Sequence, residues 1–421
     1  MQDADNALIM RCSRCAAEVP ADSHHVDCPA CGGLLELIAL PPGVRGHALR
    51  QLFAERRGAV AGRDASGVWR YRELLAACAA DVVTFPEGNT PLVHAGSAAR
   101  WAGCPTLRVK HEGLNPTGSF KDRGMTVGMS HARHLRARAV ACASTGNTAA
   151  SLAAYAALAG IPAFVFIPAG KVATGKLAQA LAYGAQTLLV RCDFDACLSL
   201  ARAAAHELGV YLLNSINPYR LEGQKTIVIE MLEQCGWRPP AWIALPAGNL
   251  GNTAAFGMAL VAARDAGLIE QLPRLLAVQA DGAAPFARAF AAGFASLQRV
   301  TPNTVATAIN IGDPASYDRA VRSIRETNGV VISVSDDAIL EAKAAIDAAG
   351  IGCEPASAAS VAGVRRMVAD GIIAPGEDVV CVLTGHLLKD PDAVVRNPAR
   401  SNQLHEIDAT IDGVRRVMGL D

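Results

Sequence analysis

The stretch from His111 to Met125, HEGLNPTGSFKDRGM, holds one lysine in a setting that suits a fixed amine. Lys121 follows a turn-forming Asn-Pro-Thr-Gly and precedes a helical pattern. A protonated amine is a poor nucleophile, so an enzyme that uses one must lower its pKa by burial or by a nearby cation. We expect Phe120 to give apolar cover and Arg123 to be the cation, with a surface lysine at a helix start as the alternative.

Three downstream segments could bind the other parts of a ligand. The segment Ser144-Thr-Gly-Asn-Thr148 offers hydroxyls and helix-start amides that can hold a carboxylate. The glycine loop Pro246–Thr253 has the composition that cradles a phosphate on backbone amides. Thr384 adds a neutral hydroxyl. Taken singly, each is as well explained by a helix cap, a tight connection or a strand threonine.

The elements that must position these segments are short apolar runs that alternate with alanine-rich helical stretches. Each of the three segments follows such a run. The predicted strands cover residues 139–143, 163–167, 187–190, 242–245 and 378–383, and the predicted helices include 148–160 and 174–183. Strands alternating with helices predict the α/β class, with parallel sheets covered on both faces and ligands beyond the carboxyl ends of the strands.

Composition restricts the class of function. The chain has 421 residues, 51% hydrophobic and 19% charged, with a formal net charge of +0. Such a chain can bury a large core in two or more domains or subdomains, and its charge predicts no nucleic-acid partner. The uncharged run 152–170 contains Gly160 and Pro162, which favours a helix end, a turn and a strand over a membrane span. The acidic N-terminus argues against export, so we expect a cytoplasmic enzyme with a small-molecule substrate.

Four of the 12 cysteines are grouped near the N-terminus. Cys12 and Cys15 form one C-x-x-C pair, and Cys28 and Cys31 form a second after twelve intervening residues. This spacing predicts a closed tetrahedral zinc site in a small ribbon over residues 1–40, structural because it has no open position. Two redox disulfides are the alternative, and His24 and His25 would be loop histidines because four cysteines already fill the site.

The motifs together resemble those of threonine synthases, the fold type II enzymes that depend on pyridoxal phosphate and are related to the tryptophan synthase beta chain. The similarity runs from about residue 88 to 390 and adds four further stretches. These are GKLAQALAYGA at 175–185, NSINPYRLEGQKT at 214–226, TAINIGDPASYDRA at 307–320 and EPASAASVAG at 354–363. The resemblance implies two doubly wound parallel-sheet subdomains in a catalytic body at 88–421, reached through a connector at 41–87 that docks on it.

The resemblance also implies a role for each motif toward the cofactor. Lys121 would hold pyridoxal phosphate covalently through its amine and later move protons. Asn147 would bond the phenolic oxygen of the ring, and Thr384 would face the pyridine nitrogen without enforcing its protonation. The residues expected at the cofactor phosphate are Gly248, Asn249, Leu250, Gly251 and Asn252.

The implied substrate is O-phosphohomoserine, converted with water to threonine and phosphate by γ-elimination and β-addition. Its carboxylate would be bound by Ser144, Thr145 and Thr148, and its phosphate by Asn214 and Arg220. A small subdomain at about 120–210 would close over it to exclude water. Family members are commonly dimers, so a homodimer is expected.

Two residues depart from the family pattern. Leu387 stands where the terminal motif usually has glycine, and Leu250 is bulkier than the expected alanine. Leu387 must either turn outward or narrow the pocket. These changes leave open another fold type II activity, such as a cysteate synthase or a threonine or serine dehydratase. A binding module that has lost its activity is a third hypothesis, against which the retained Lys121 speaks.

Overall fold

Antiparallel strands form the N-terminal part of the fold. The computed structural model describes residues 8–38, 41–77, 80–144, 146–169, 174–191, 194–395 and 405–419. The first described segment, 8–38, is here called the ribbon. Its strands are β1 Ile9–Cys12, β2 Glu18–Pro20 and β3 Leu35–Leu37, arranged in the order β2-β1-β3. Helix α1, Gly46–Arg56, follows in the connector.

The chain then enters a large sheet, leaves it for a small sheet and returns. The first elements of this body are β4 Leu92–His94, α2 Ser97–Trp101, β5 Arg108–His111 and α3 Lys121–His134. The elements of the small sheet are β6 Val140–Ala143, α4 Asn147–Ala159, β7 Ala163–Pro168, α5 Thr174–Ala182, β8 Gln186–Val190, α6 Phe194–Leu208 and β9 Tyr211–Leu212. The small sheet is parallel, in the order β8-β7-β6-β9.

The returning chain completes the large sheet. Its elements are α7 Pro218–Gln234, β10 Trp242–Pro246, α8 Gly251–Asp265, β11 Arg274–Ala280, α9 Pro285–Ala291, α10 Tyr317–Glu326, β12 Val330–Val334, α11 Asp336–Ala348, α12 Pro355–Ala369, β13 Val379–Leu383, α13 Asp392–Val395 and α14 Ile411–Met418. The strand order is β12-β11-β10-β13-β5-β4, and all pairs are parallel except β4 with β5.

Both faces of the large sheet are buried, which explains the uninterrupted apolar runs of its strands. Alternate residues of β10 enter different cores. Trp242 and Ala244 pack with α2, α11 and α12, whereas Ile243 and Leu245 pack with α1, α7, α8 and α10. The predicted α/β class with two parallel sheets is therefore confirmed.

The uncharged run that begins at Leu152 divides between two elements. Helix α4 ends at Ala159, and Gly160 adopts the left-handed conformation at φ +67°, which glycine adopts readily. Strand β7 then begins at Ala163. Among the described helices, none has both the length and the apolar composition that crossing a membrane requires.

Candidate active site

A cavity of about 2250 Å³ opens where strands of both sheets end. Its wall includes Ser144 after β6, Gly248 after β10 and Thr384 after β13, together with Lys121 at the start of α3. The carboxyl ends of parallel strands thus bring together segments that lie up to 263 positions apart in the sequence. The predicted site residues Lys121, Ser144, Asn147, Thr148, Asn214, Gly248, Asn249, Leu250, Gly251, Asn252 and Thr384 all line the cavity. Thr145 lies outside the described residues.

Lys121 is the first residue of α3, and its ammonium lies 4.3 Å from the ring centroid of Phe120. Burial and the nearby Arg220 guanidinium lower the pKa of Lys121 to about 7, against the opposing effect of Glu354. Phe120 therefore supplies the expected apolar cover. The expectation that Arg123 is the cation is wrong, because the cation that lowers the pKa is Arg220.

Arg123 instead belongs to a buried ion network formed by Lys110, Glu112, Arg123 and Glu230, all fully buried. Its guanidinium donates to both carboxylate oxygens of Glu112 at 2.7 and 2.8 Å and to Glu230 at 2.8 Å. Lys110 pairs with Glu230 at 2.6 Å. Although burial opposes the shift, Arg123 lowers the pKa of Glu112 and of Glu230. Each buried charge of this network has an opposite charge in contact.

The glycine loop ends at α8 and offers helix-start amides to the cavity. Gly248 has no room for a side chain, since a Cβ there would lie 2.9 Å from the Cα of Ile309. Leu250 adopts the left-handed conformation at φ +64° and is buried, so its side chain packs in the core below the loop. Among the described residues, the buried Oδ1 of Asn252 and Oγ1 of Thr253 have no hydrogen-bond partner. A helix N-terminus offers backbone N–H donors to a ligand and therefore suits an anion.

Asn249 secures this loop from the side. Its Oδ1 accepts from the backbone N–H of Ala315 at 2.7 Å, and its Nδ2 donates to the hydroxyl of Ser215. The side chain is therefore engaged in holding the loop against two neighbouring segments. The remaining contribution of Asn249 to a ligand would come from its backbone.

Thr384 and Lys121 lie on segments that bond directly to each other. The N–H of Phe120 donates to the Thr384 carbonyl at 3.0 Å, and the N–H of His386 donates to the Gly118 carbonyl at 2.9 Å. The side-chain hydroxyl of Thr384 lies 2.9 Å from that of Ser357 on α12. The backbone therefore fixes the spacing between the lysine and this hydroxyl.

The two residues expected at the substrate phosphate occupy different positions. Asn214 lines the cavity, and its amide exchanges two 3.0 Å hydrogen bonds with the backbone of Ala143. Arg220 does not reach the cavity wall. It is fully buried on α7 and donates from Nη1 to the Leu213 carbonyl at 3.1 Å, and within the described part of the chain its Nε and Nη2 have no hydrogen bond.

Leu387 turns away from the cavity. Its side chain packs against Gly352, where a Cβ would lie 2.5 Å from Leu387 Cδ2. His386 and Leu388 line the cavity, whereas Leu387 does not. Of the two orientations expected for this leucine, the outward one is therefore observed.

Sequence reasoning missed Glu354, Ser357 and Lys389. Glu354 begins the stretch that resembles the family at 354–363, so its neighbourhood carried a signal that was not assigned to a role. The stem of Lys389 lies over Gly118, and its ammonium donates to Gln179 of α5, which links the two sides of the cavity. Burial lowers the pKa of Lys389.

The four grouped cysteines of the ribbon lie around one point. The Sγ atoms of Cys12, Cys15, Cys28 and Cys31 are all within 4.8 Å of one another. Gly33 leaves them this space, because a Cβ there would lie 2.8 Å from the Cys12 sulfur. Burial raises the pKa of the Cys12 thiol, but backbone N–H donors of Cys15 and Arg14 outweigh this and lower it to about 6. Four sulfurs in this arrangement suit a tetrahedral metal ion.

The ribbon contacts elements on both sides of the cavity. The Ala21 carbonyl accepts from Tyr219 of α7 at 2.9 Å and lies 3.0 Å from the ring of His131 on α3. Val26 packs with residues of β6, β7 and α6, and Glu36 pairs with Arg319 of α10 at 3.2 Å. The ribbon is thus attached to both sheets through their helices.

Known proteins resemble this chain over most of its length. Residues 83–385 match the family described as pyridoxal-phosphate dependent enzyme. The threonine synthase of Methanosarcina acetivorans is 44% identical, over 97% of this chain and 98% of the relative. That of Methanocaldococcus jannaschii is 41% identical over 98% and 99%. That of a Synechocystis species is 48% identical over 75% and 81%.

Solved structures share the fold. Threonine synthase from Escherichia coli superimposes with a TM-score of 0.70 at 18% identity, over 98% of this chain and 99% of that one. Maize serine racemase gives a TM-score of 0.63 at 25% identity, over 76% and 94%.

Proposed function

The chain belongs to the family of pyridoxal-phosphate-dependent enzymes, and on that premise we propose that it is a threonine synthase. The observation that carries the proposal is the convergence of Lys121, the anion-binding loop and Thr384 in one cavity, in a chain 44% identical to a threonine synthase across nearly its full length. The reaction converts O-phosphohomoserine and water to threonine and phosphate, which is a carbon–oxygen lyase reaction on a phosphate ester.

The cavity has the donor set that pyridoxal phosphate needs. Lys121 supplies an amine whose pKa is lowered to about 7. Residues 248–252 supply the phosphate cradle through their backbone N–H groups, and Gly248 leaves no room for a side chain. Asn147 and Thr384 supply polar side chains for the phenolic oxygen and the ring nitrogen. When bound, the cofactor withdraws electrons from the substrate carbons that lose protons.

Two groups of residues would bind the two charged ends of the substrate, its carboxylate and its phosphate. Ser144, Thr145 and Thr148 would bind the substrate carboxylate at the start of α4, where the helix dipole favours an anion. Asn214 and Arg220 would bind the substrate phosphate. Asn214 keeps one amide hydrogen free after its two bonds to Ala143. Arg220 keeps two unpaired nitrogens but must become reachable from the cavity, which fits closure of the small subdomain around the ligand.

Lys121 then acts as the mobile base of the reaction. Its amine takes the proton from the α carbon, and a second proton leaves the β carbon before phosphate departs from the γ carbon. After phosphate has left, the γ carbon takes up a proton, water adds its hydroxyl at the β carbon, and the α carbon regains its proton. Both protons removed are thus returned to the product, and the proton of the water accompanies the released phosphate. An amine with a pKa of about 7 can both accept and return a proton near neutral pH, which this sequence requires.

The function is tested by phosphate release from O-phosphohomoserine with threonine identified as the product. Purified protein should also show a visible absorption band that appears on adding pyridoxal phosphate. Turnover of phosphoserine with sulfite, without turnover of O-phosphohomoserine, would instead identify a cysteate synthase. Protein that shows neither a band nor turnover would contradict an enzymatic function of this family.

We also propose that Cys12, Cys15, Cys28 and Cys31 bind a structural zinc ion. The clustering of their sulfurs within 4.8 Å supports this, and four protein ligands would leave zinc no position for a substrate. Metal analysis should find about one zinc per chain, falling to near zero in Cys15→Ser. Reduced protein without zinc would contradict the assignment. A homodimer and a cytoplasmic location stay predictions from the sequence.

A further inference from the structure

Glu354 is a buried carboxylate at the cavity wall. It is 5% exposed and lines the cavity, yet no ion pair within 4.0 Å is found for it among the described residues. Burying a carboxylate is unfavourable unless hydrogen bonds or charges compensate it. The side chain does not cap its own helix, α12, although the residue stands at the helix start. Its position therefore needs another explanation.

The two carboxyl oxygens of Glu354 reach residues from different sheets. Asn147 of α4, which follows the small sheet, donates from Nδ2 to Oε2 at 3.0 Å. Thr384, which follows β13 of the large sheet, donates from Oγ1 to Oε1 at 3.4 Å. Gly385 leaves space for the carboxylate, because a side chain at this position would overlap it. One side chain thus bonds to both polar groups that face the cofactor ring.

We propose that Glu354 is a positioning residue that holds Asn147 and Thr384 in a fixed relation, directs the second amide hydrogen of Asn147 toward the cofactor ring and sets where the hydroxyl hydrogen of Thr384 points. This inference rests on the proposed function. The bond to Glu354 uses one amide hydrogen of Asn147 and leaves the second for the phenolic oxygen. The same bond prevents the amide from rotating away when the small subdomain moves.

The effect on Thr384 depends on where its single hydrogen goes. A carboxylate at Glu354 draws the hydroxyl hydrogen toward Oε1, which leaves a lone pair of Thr384 for the ring nitrogen. That lone pair can accept only from a protonated ring nitrogen. A neutral partner releases the hydrogen, which can then be donated to an unprotonated nitrogen while Thr384 accepts from Ser357, 2.9 Å away. The charge on Glu354 therefore sets the electron demand of the ring through Thr384.

The charges that face Glu354 come from two segments. Lys121 of α3 and Lys389 after β13 favour its ionised form, and Asp390 opposes it. Burial is the largest influence and raises the pKa of Glu354. The pKa of Glu354 is thus shifted in opposite directions by burial and by charged neighbours that also line the cavity.

The experiment compares Glu354→Ala, Glu354→Gln and Asn147→Ala, singly and combined, in the holoenzyme. Glu326→Ala, an exposed glutamate of α10, is the matched control. We expect Glu354→Ala to lower kcat about 10- to 100-fold, the range typical of residues that orient a bound group, with KM little changed. The absorption maximum of the bound cofactor should shift, and its dissociation constant should rise. Glu354→Gln should restore part of kcat, because its amide oxygen still accepts from Asn147.

The double variant decides whether Glu354 acts through Asn147. If it does, Asn147→Ala combined with Glu354→Ala lowers kcat less than the product of the two single effects. Fully multiplicative effects, or an unchanged absorption maximum in all Glu354 variants, would overturn the inference while leaving the proposed function standing. Wild-type protein without a cofactor band would overturn both. If Glu354→Ala fails to fold, Glu354→Met, which keeps most of the side-chain volume without an acceptor for Asn147, and its double variant give the same comparison.

Discussion

The first turn of helix α3 carries two basic side chains, Lys121 and Arg123, whose neighbours have opposite charge. Arg123 lies within the buried ion network, where Glu112 and Glu230 bind it at 2.7 to 2.8 Å. Lys121, two residues earlier, faces the cavity beside Phe120 and has Arg220 as a charged neighbour. The carboxylates of Glu112 and Glu230 keep Arg123 charged despite its burial. Lys121 has no such ion pair among the described residues, so burial and Arg220 lower its pKa. The contrast shows that a buried cation paired with carboxylates contributes to stability, whereas a buried amine without an ion pair can exchange its proton and take part in a reaction.

The largest effect is expected on the cavity side. Lys121→Ala should lower threonine formation by at least about 10³-fold, because the chain loses the amine that moves protons. It should leave the free energy of unfolding unchanged or higher, since no described ion pair is lost. Product analysis and urea unfolding measure the two quantities on one preparation. A Lys121→Ala variant with a lower free energy of unfolding and unchanged turnover would show that Lys121 contributes to stability and not to the reaction.

On the network side, the expected effect is on stability. Arg123→Met should lower the free energy of unfolding by about 3–5 kcal/mol, because Glu112 and Glu230 are left buried with too little positive charge. The control is Arg264→Met, whose exposed pair with Asp265 should contribute less than about 1 kcal/mol. Urea unfolding compares the two variants. Equal decreases in the free energy of unfolding would mean that the buried network stabilises the protein no more than an exposed ion pair does.

The two regions should also differ in their response to pH. In protein freed of cofactor, the pKa of Lys121 is about 7 when folded and 10.5 ordinarily, so the unfolded state binds more protons between these values. Stability should therefore rise from pH 7 toward 10.5, by at most about 1.4 kcal/mol per pH unit, and be lost again as the pH falls. Subtracting the profile of Lys121→Met isolates this contribution. A flat difference would show that the amine titrates normally.

The smallest effect is expected beside the cavity, at an uncharged residue. Leu387→Gly should change kcat/KM by less than about two-fold, since the side chain packs on Gly352 and not on the ligand space. Steady-state kinetics with O-phosphohomoserine and phosphoserine measure both rate and preference. A change in substrate preference would mean that the apolar side chain of Leu387 also influences which substrate the cavity accepts.

Much of the fold followed from the sequence because its signals are local. Apolar runs predicted β6, β7, β10 and β13, and strand ends predicted where the ligand-binding loops would meet. The cysteine spacing predicted the cluster that forms in the ribbon. These inferences need only neighbouring residues and the geometry of parallel sheets.

The partners of the site residues did not follow, because they depend on contacts between distant segments. Glu354 lies 207 positions from Asn147, and nothing near either residue indicates the bond. Arg123 was assigned to Lys121 because it is near in sequence, although residues two apart on a helix point to different sides. Arg220 comes from α7, about a hundred residues later, and its depth behind the wall depends on how α7 packs on α3.

The attachment of the ribbon has a consequence for the order of events during synthesis. Its residues leave the ribosome before those of the catalytic body, and Arg319, which bonds to Leu35 and Glu36, follows 283 to 284 positions later. Tyr219, which bonds to Ala21, follows 198 positions later. The ribbon must therefore wait, either unfolded or held by its own cysteines, until most of the chain has been made. A segment translated before the catalytic body thus reaches its final place only after most of that body has been made.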